Sequence, residues 1–283
     1  MLNRVFATNK LIKNILSVVL ATSICVPAWA SVAVSPMRVE VNANKARNNY
    51  LTTALEVKGD SQVPMRFKAY AGYFEIDEKG EAVMIDNSDS KYDLSKKLRF
   101  VPSEFTVAAN KTQKLRVNVA NVKSLPDGES RAMLYIEDIN PKEFNIPTGQ
   151  AGIGAQLIVK TRLGIPIYVD YGKFTKIGLV ENYDAIQQKD GLHTSIKISS
   201  TGNSKIRYTK HIQIAQGKKL VYEQELKGGV IASGKSIIDK DVINLKNVPT
   251  GEYTTKMIVT YLDQDEKRKN LKEEKMVKIQ SEM

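Results

Sequence analysis

Side chains that could carry out acid–base or metal chemistry are few in this sequence. Its two histidines, His193 and His211, lie within strand-like runs, and neither belongs to a pair with the spacing of metal ligands. Glu137 and Asp138 are adjacent carboxylates, but neighbours on a strand point to opposite faces and cannot form a catalytic dyad. The sequence has no G-x-S-x-G motif and no glycine-rich phosphate loop. We therefore expect no catalytic residue and no metal site.

The first 30 residues predict an export signal. Arg4, Lys10 and Lys13 form a basic region, residues 15–24 are mostly apolar, and Ala28-Trp29-Ala30 has the small-x-small pattern of a cleavage site. The apolar run is shorter than the ~20 residues that span a bilayer, and no later run approaches that length. We expect cleavage after Ala30, release of the chain and no stable membrane insertion.

Cys25 is the only cysteine, and it lies within the predicted signal. Its removal would leave the mature chain without disulfides, thiolate metal sites or a cysteine nucleophile. A lipoprotein attached through Cys25 is the weaker alternative, because Ile24 precedes it where lipid attachment favours a small side chain. We expect no cofactor. A secreted hydrolase stays open as a third-ranked function, because divergent active sites escape motif searches.

The formal net charge is +11, and removing the three basic residues of the predicted signal leaves +8. Such an excess suits nucleic acid, anionic lipid, or an acidic or apolar protein partner. The aromatic residues are scattered, and the basic residues alternate with acidic ones instead of forming one run. We therefore expect a basic solvated surface and no nucleic-acid partner.

Alternation of apolar and polar residues with a period of two recurs along the chain, whereas no stretch shows a sustained period of 3.6. The clearest runs are 37–41, 51–57, 67–73, 115–119, 133–139 and 194–198. A short polar break, Asp170-Tyr171-Gly172-Lys173, separates two series of strands. We predict an all-β fold of two Ig-like β-sandwich domains in tandem, residues 31–171 and 172–283. Residues 263–275, which mix both charges, predict a solvated hairpin turn before a last edge strand.

Four segments of the first predicted domain follow the order seen in periplasmic chaperones of the chaperone-usher pathway. They are Val34 to Val39, Phe100 to Val117, Leu125 to Ile139 and Ala155 to Ile167. Behind a signal peptide and before a second β domain, they make the chain resemble a pilus-assembly chaperone, closest in pattern to the archaic or alternate branch. The resemblance implies a periplasmic location, pilin subunits and an outer-membrane usher as partners, and no catalysis. It leaves open whether the free protein forms a self-capping dimer through its donor strand.

The resemblance also implies donor-strand complementation, in which the chaperone adds its own strand to an incomplete pilin sandwich. The apolar residues Ile153, Ala155, Leu157 and Val159 alternate along one segment and match the donor strand. The alternative is that this face fills the core of its own domain, because alternation does not say which face meets solvent.

In the same family, an arginine of the N-terminal strand binds the carboxylate at the end of the subunit, and Arg38 matches it. The family lysine that completes this site is replaced by Gly164. Arg162 lies two positions earlier, and Lys160 two before that, so both share its face in a regular strand. We expect Arg162, or secondarily Lys160, to serve as the substitute anchor.

The arginine that follows in the family, part of an interdomain ion pair, is Tyr168 here. Glu129 keeps the acidic member of that network, so its partner must be different or absent. Pro166 cannot donate to a ladder, and we expect the strand to bend or end its pairing there.

A two-domain Ig-like surface or pilus structural protein, such as an adhesin or a minor subunit, is the alternative function. It would need a donor extension or a missing final strand. The strand pattern through Met283 looks complete, which favours the chaperone.

Overall fold

The computed structural model describes residues 32–46, 49–59, 63–140, 142–147, 154–245 and 248–280, of which 142–147 and 154–155 are described by their backbone alone. The predicted signal therefore lies outside the described residues. The described part of the chain has no helix with the length and apolar character that crossing a membrane demands.

Strands make up almost all of the regular structure. Those of the first half are β1 (Val32–Ser35), β2 (Val39–Asn42), β3 (Tyr50–Gly59), β4 (Met65–Ile76), β5 (Ala82–Ile85), β6 (Leu98–Val101), β7 (Glu104–Val107), β8 (Thr112–Ala120), β9 (Gly128–Asp138), β10 (Lys142–Pro147), β11 (Gly154–Val159) and β12 (Arg162–Tyr171). Those of the second half are β13 (Gly178–Gln188), β14 (Gly191–Ser200), β15 (Ile206–Gln216), β16 (Lys219–Ile231), β17 (Ser236–Ile243), β18 (Gly251–Leu262) and β19 (Arg268–Ile279). Short 3₁₀ turns lie at Ala43–Lys45, Ser95–Lys97 and Val122–Ser124.

The first sandwich packs the sheet β1-β3-β8-β6 against the sheet β2-β12-β9-β4-β5, with β7 added to β4. Alternation places one side chain in two between the sheets, as on β4, where Met65, Phe67 and Ala69 are buried. Each fully buried side chain of the size of Phe67 contributes about 1.5–3 kcal/mol of apolar burial. The sheets therefore enclose one apolar core, and the second sheet turns its opposite face, here called the outer face, away from it.

The N-terminal strand is divided between the two sheets. β1 pairs antiparallel with β3, whereas β2 pairs parallel with β12, starting at Val39 opposite Ile167. Residues 36–38 cross from one sheet to the other. This crossing puts Arg38 immediately before Val39, the first residue of β2, at the margin of the second sheet.

β12 does not end its pairing at Pro166, so that alternative of the prediction was wrong. Pro166 lies opposite Met133 within a ladder with β9 that continues to Tyr171. Pairing with β2 begins only at Ile167, so Pro166 sits where β12 has a partner on one side, a position that tolerates proline. The interruption instead lies between β11 and β12, at residues 160–161.

The second sandwich packs the sheet β13-β14-β17 against the sheet β16-β15-β18-β19. Its core includes Ile196, Ile212, Met257 and Val259, all of them almost fully buried. The predicted turn and edge strand at residues 263–275 are confirmed, because β19 follows a turn at 263–267 and pairs only with β18 among the described strands. The all-β prediction of two tandem Ig-like sandwiches is confirmed as well.

The two sandwiches meet on the outer face of the first. Phe74, Met133 and Tyr168 form a small apolar cluster with Ala232 of the second sandwich. Next to it, the backbone of Gly128 approaches Asn203 so closely that a Cβ would lie 2.5 Å from the Asn203 carbonyl oxygen. The domain junction is thus a packed interface.

Candidate functional site

One edge of the first domain carries no described partner strand. β10 and β11 pair with each other and extend the ladder of β9 and β12, as shown by Lys142 opposite Val159 and Glu137 opposite Arg162. β2 covers the other side of β12 only from Ile167 onward. Among the described strands, none therefore covers this margin between residues 157 and 166, which is interrupted at residues 160–161 and is about 33 Å long at 3.3 Å per residue. We call it the open edge.

The open edge presents apolar side chains to solvent on both faces. Leu157 is 49% exposed, Ile158 57% and Val159 43%. The alternative that this face fills the domain's own core is thus wrong for Leu157 and Val159. Ile153 lies outside the described residues, and Ala155 is described by its backbone alone. A bare edge flanked by exposed apolar groups is a template for adding another strand.

Arg38 lies near the Pro166 end of the open edge, here called its foot. It directly precedes Val39, the residue at which β2 first pairs with β12. A strand added along this edge would run in line with β2 and abut Arg38. The Arg38 side chain is 53% exposed, and its Nε lies 3.3 Å from Glu40 Oε1. Its place suits an anchor for the end of such a strand.

Arg162 and Lys160, the predicted substitute anchors, are held elsewhere on the outer face. Lys160 Nζ lies 2.5 Å from Glu137 Oε1. The Arg162 guanidinium stacks 4.8 Å from the centre of the Tyr135 ring and donates to Tyr70 Oη at 3.4 Å. Val39, the neighbour of Arg38, lies opposite Ile167, and Arg162 is five residues, or about 16 Å, further along β12. The structure does not bring Arg162 or Lys160 together with Arg38.

The cations that do approach Arg38 come from the second domain. Arg207 donates to Glu40 Oε1 from Nε at 3.1 Å and from Nη2 at 2.9 Å. Lys205 Nζ is 3.9 Å from the same oxygen. Burial alone would raise the pKa of Glu40, but Lys205, Arg207 and Arg38 together hold it below its usual value. Glu40 is therefore an ionised link between the domains.

From the sequence, the partner of Glu129 was expected to be different or absent. It is different, because Lys205 takes that place. Its Nζ lies 3.0 Å from Glu129 Oε2, and both side chains are almost fully buried. The same ammonium group lies 3.6 Å from the centre of the Tyr168 ring. Burial, with the nearby Glu129 carboxylate, raises the pKa of Tyr168 to about 12. The aromatic ring of Tyr168 thus packs against a cation that the other domain supplies.

A cleft of about 500 Å³ opens between β2 and the second domain. Arg38, Glu40 and Arg207 line it together with apolar and aromatic side chains. The latter are Val41, Phe174, Tyr208, Tyr261 and Leu262. The lining also includes Asp170, Lys176, Lys205, Asp263, Glu266 and Arg268, so the cleft sets charged groups of both signs beside its apolar surface.

The two histidines lie apart from this cleft. His193 Nε2 is 2.6 Å from Asp190 Oδ1, and His211 Nε2 is 3.5 Å from Glu223 Oε2, each on its own part of the second domain. The described residues contain no group of three or more His, Cys, Asp or Glu side chains that could hold a metal ion.

Sequence reasoning missed Glu40, Lys205 and Arg207. The signal that could have found them is the alternation Lys205-Ile206-Arg207. It follows the turn residues 200–203 and lies at the start of β15. Two cations on the same side of a strand start predict an acidic partner, but not which of the many acidic residues it is.

Solved structures similar in fold to this chain are fimbrial chaperones. No protein-family model matches the chain, and no curated protein matches it significantly. The class 5 fimbriae chaperone CfaA is 15% identical, with a TM-score of 0.46 over 86% of this chain and 98% of that chain. The CsuC–CsuE chaperone-subunit complex of the archaic Csu pili of Acinetobacter baumannii matches at 13% identity and 0.43, over 86% and 98%. The Salmonella enterica complex of the SafA pilin with the SafB chaperone matches at 12% and 0.42, over 86% and 95%. These likenesses concern the fold alone.

Proposed function

We propose that this protein is a periplasmic chaperone that binds pilin subunits by lending them a strand. The observation that carries the proposal is the open edge, which combines unpaired backbone with Leu157 and Val159 exposed on one face. A subunit that lacks its last strand exposes the complementary defect. Joining the two supplies main-chain hydrogen bonds to both edges and buries apolar side chains on both partners.

Arg38 is the proposed anchor for the end of the subunit. An added strand that terminates at the foot of the open edge places its carboxylate beside a half-exposed guanidinium. A charge-assisted, bidentate pair there fixes the register of the strand, which apolar alternation alone leaves free to slip.

The proposal includes the steps on either side of subunit binding. Residues 1–30 are the export signal, and residues 31–171 and 172–283 are the two domains of the mature chain. The loaded protein delivers its subunit to an outer-membrane usher. Before loading, a second copy of the chain caps the open edge, because bare apolar edges otherwise aggregate.

Co-expression with the pilin subunit of the same cell tests the proposal. We expect the subunit to stay soluble and to co-purify with the wild-type chain, and Leu157→Ser combined with Val159→Ser to lower its yield at least tenfold. Both side chains are exposed, so the double variant should unfold at the wild-type urea concentration. Leu179→Ser is the matched control, because Leu179 is also 49% exposed but lies on the second domain.

Two results would overturn the proposal. One is a subunit that accumulates in soluble form equally well without this protein. The other is a subunit yield that falls as much with Leu179→Ser as with the double variant. Recovery of the chain itself from assembled surface fibres would instead support a structural pilus protein.

A further inference from the structure

Three cations and two carboxylates meet where the domains join at the cleft. Two arginines, Arg38 and Arg207, and Lys205 all approach Glu40 Oε1, at 3.3, 2.9 and 3.9 Å. The charge of Lys205 is balanced by the buried Glu129 carboxylate at 3.0 Å. Arg38 and Arg207 therefore share the Glu40 carboxylate. The other acids that line the cleft, Asp170, Asp263 and Glu266, form no ion pair with either guanidinium in the described part of the chain.

Both arginines also have hydrogen-bond donors to spare. Arg38 makes an ion pair with Glu40 and no hydrogen bond within the described part of the chain. Arg207 directs Nε and Nη2 to Glu40, while its Nη1 has no acceptor among the described residues. A guanidinium group carries five N–H donors in a planar fork, so a second carboxylate can bind both arginines without displacing every existing contact.

The surroundings specify what kind of anion fits. Two guanidinium groups that share one carboxylate can donate to a second, and the apolar and aromatic side chains within the cleft lining match an anion carried on an apolar chain. The open edge leads to the same point, because Arg38 stands at its foot. A peptide strand that follows the edge therefore brings its terminal carboxylate to Arg38. Arg207 lies close by, because both arginines contact the same Glu40 carboxylate.

We propose that Arg207 is the second anchor for the terminal carboxylate of the bound subunit, and that Glu40 is a resident carboxylate that competes with it. This inference rests on the proposed function. In the free protein, Glu40 holds the two guanidinium groups together. When the subunit arrives, its carboxylate takes Arg38 and the free Nη1 of Arg207, and Glu40 gives up part of its contacts. Glu40 therefore weakens subunit binding and favours release.

A peptide with the sequence of the last strand of the co-purifying subunit, made as the free acid and as the amide, tests this competition. Titration of the wild-type chain should show about tenfold tighter binding of the acid, the size expected for one charge-assisted pair of about 1.4 kcal/mol. Arg207→Gln should bring the acid and the amide to within about twofold. Glu40→Gln should raise the preference for the acid about threefold or more, because it removes the competitor.

The Arg66–Glu104 pair provides matched controls, because these side chains form an exposed 3.0 Å ion pair on the first domain. Arg66→Gln and Glu104→Gln should leave the preference for the acid unchanged. Arg207→Lys keeps the charge without the fork and should restore part of the preference, even if Arg207→Gln perturbs the domain junction. The proposal is overturned if Arg207→Gln and Arg207→Lys both keep the full preference, or if Glu40→Gln lowers it. A wild-type chain that binds neither the peptides nor the intact subunit would overturn the proposed function itself.

Discussion

Lys205 of the second domain places its ammonium nitrogen 3.6 Å from the centre of the Tyr168 ring of the first. The same nitrogen is 3.0 Å from Glu129 Oε2, in a position where less than a tenth of either charged side chain meets solvent. Arg131 Nε lies 3.5 Å from the other oxygen of Glu129 without forming a hydrogen bond to it. Lys205 is therefore the main compensation for a buried carboxylate, and the domain junction depends on it.

Replacing Lys205 should destabilise the protein strongly. Lys205→Met keeps most of the volume but leaves the Glu129 charge buried without its closest cation, which costs about 3–5 kcal/mol in the free energy of unfolding. Urea unfolding followed by circular dichroism measures the loss. Lys256→Met is the control, because Lys256 pairs with Glu274 at the surface, and it should cost less than about 1 kcal/mol. Equal losses in the two variants would contradict the assigned role of Lys205.

The ionised state of Glu40 predicts how stability depends on pH. The pKa of Glu40 is lower in the folded chain than in the unfolded one, so the folded state favours the charged form. Its contribution is fully present above the ordinary glutamate pKa near 4.3 and is lost as pH falls through the lower folded value. Wild type should therefore lose stability more steeply than Glu40→Gln between about pH 5 and about pH 3. Parallel curves of unfolding free energy for the two proteins would show that Glu40 is not held in its charged form.

Two glycines of the first domain should respond differently to an added methyl group. Gly128 has φ of +104°, and its Cβ would lie 2.5 Å from the Asn203 backbone oxygen, whereas a Cβ on Gly164 would first meet the Met133 sulfur at 3.1 Å. A flexible methionine can move aside and a backbone carbonyl cannot. Gly128→Ala should cost at least about 2 kcal/mol and Gly164→Ala less than about 1 kcal/mol. A reversed order in urea unfolding would mean that the junction yields more easily than the methionine.

A second buried lysine connects the two sheets of the second domain. Lys210 Nζ lies 2.8 Å from Asp239 Oδ2 and 2.6 Å from Asp241 Oδ2, and its side chain is fully buried. Lys210→Met leaves two partly buried carboxylates facing each other and should lower the free energy of unfolding by about 3–5 kcal/mol. Lys197→Met, which removes the exposed pair with Glu181, should change it by less than about 1 kcal/mol. A small effect of Lys210→Met would show that the core accommodates the acids without it.

The sequence was sufficient to predict the sheets, because alternation determines which residues of a strand face the core. On β4 it correctly separates the buried Phe67 from the exposed Lys68. It also predicted a strand at Arg162, whereas Lys160 lies in the interruption between β11 and β12. Alternation does not determine the register between two strands, which sets the residues that lie opposite each other. Arg162 consequently faces Tyr70 and Tyr135 instead of Arg38.

The contacts of the junction could not be predicted for a related reason. Glu40 and Arg207 are separated by 167 positions in the sequence, and no local pattern links them. Their meeting depends on the orientation of two separately folded sandwiches. Pro166 shows the same limit within one domain, because its effect on pairing depended on where β2 begins to cover β12.

Lys205 and Arg207 flank Ile206, which is fully buried in the core of the second domain. One side neighbour reaches Glu129 inside the first domain, and the other reaches the mouth of the cleft. Arg207 is therefore bonded directly to a residue of the second domain's core. Ile206 in this way ties the two interdomain cations to the packing of the second sandwich, so a shift of this short segment would move Lys205 and Arg207 together.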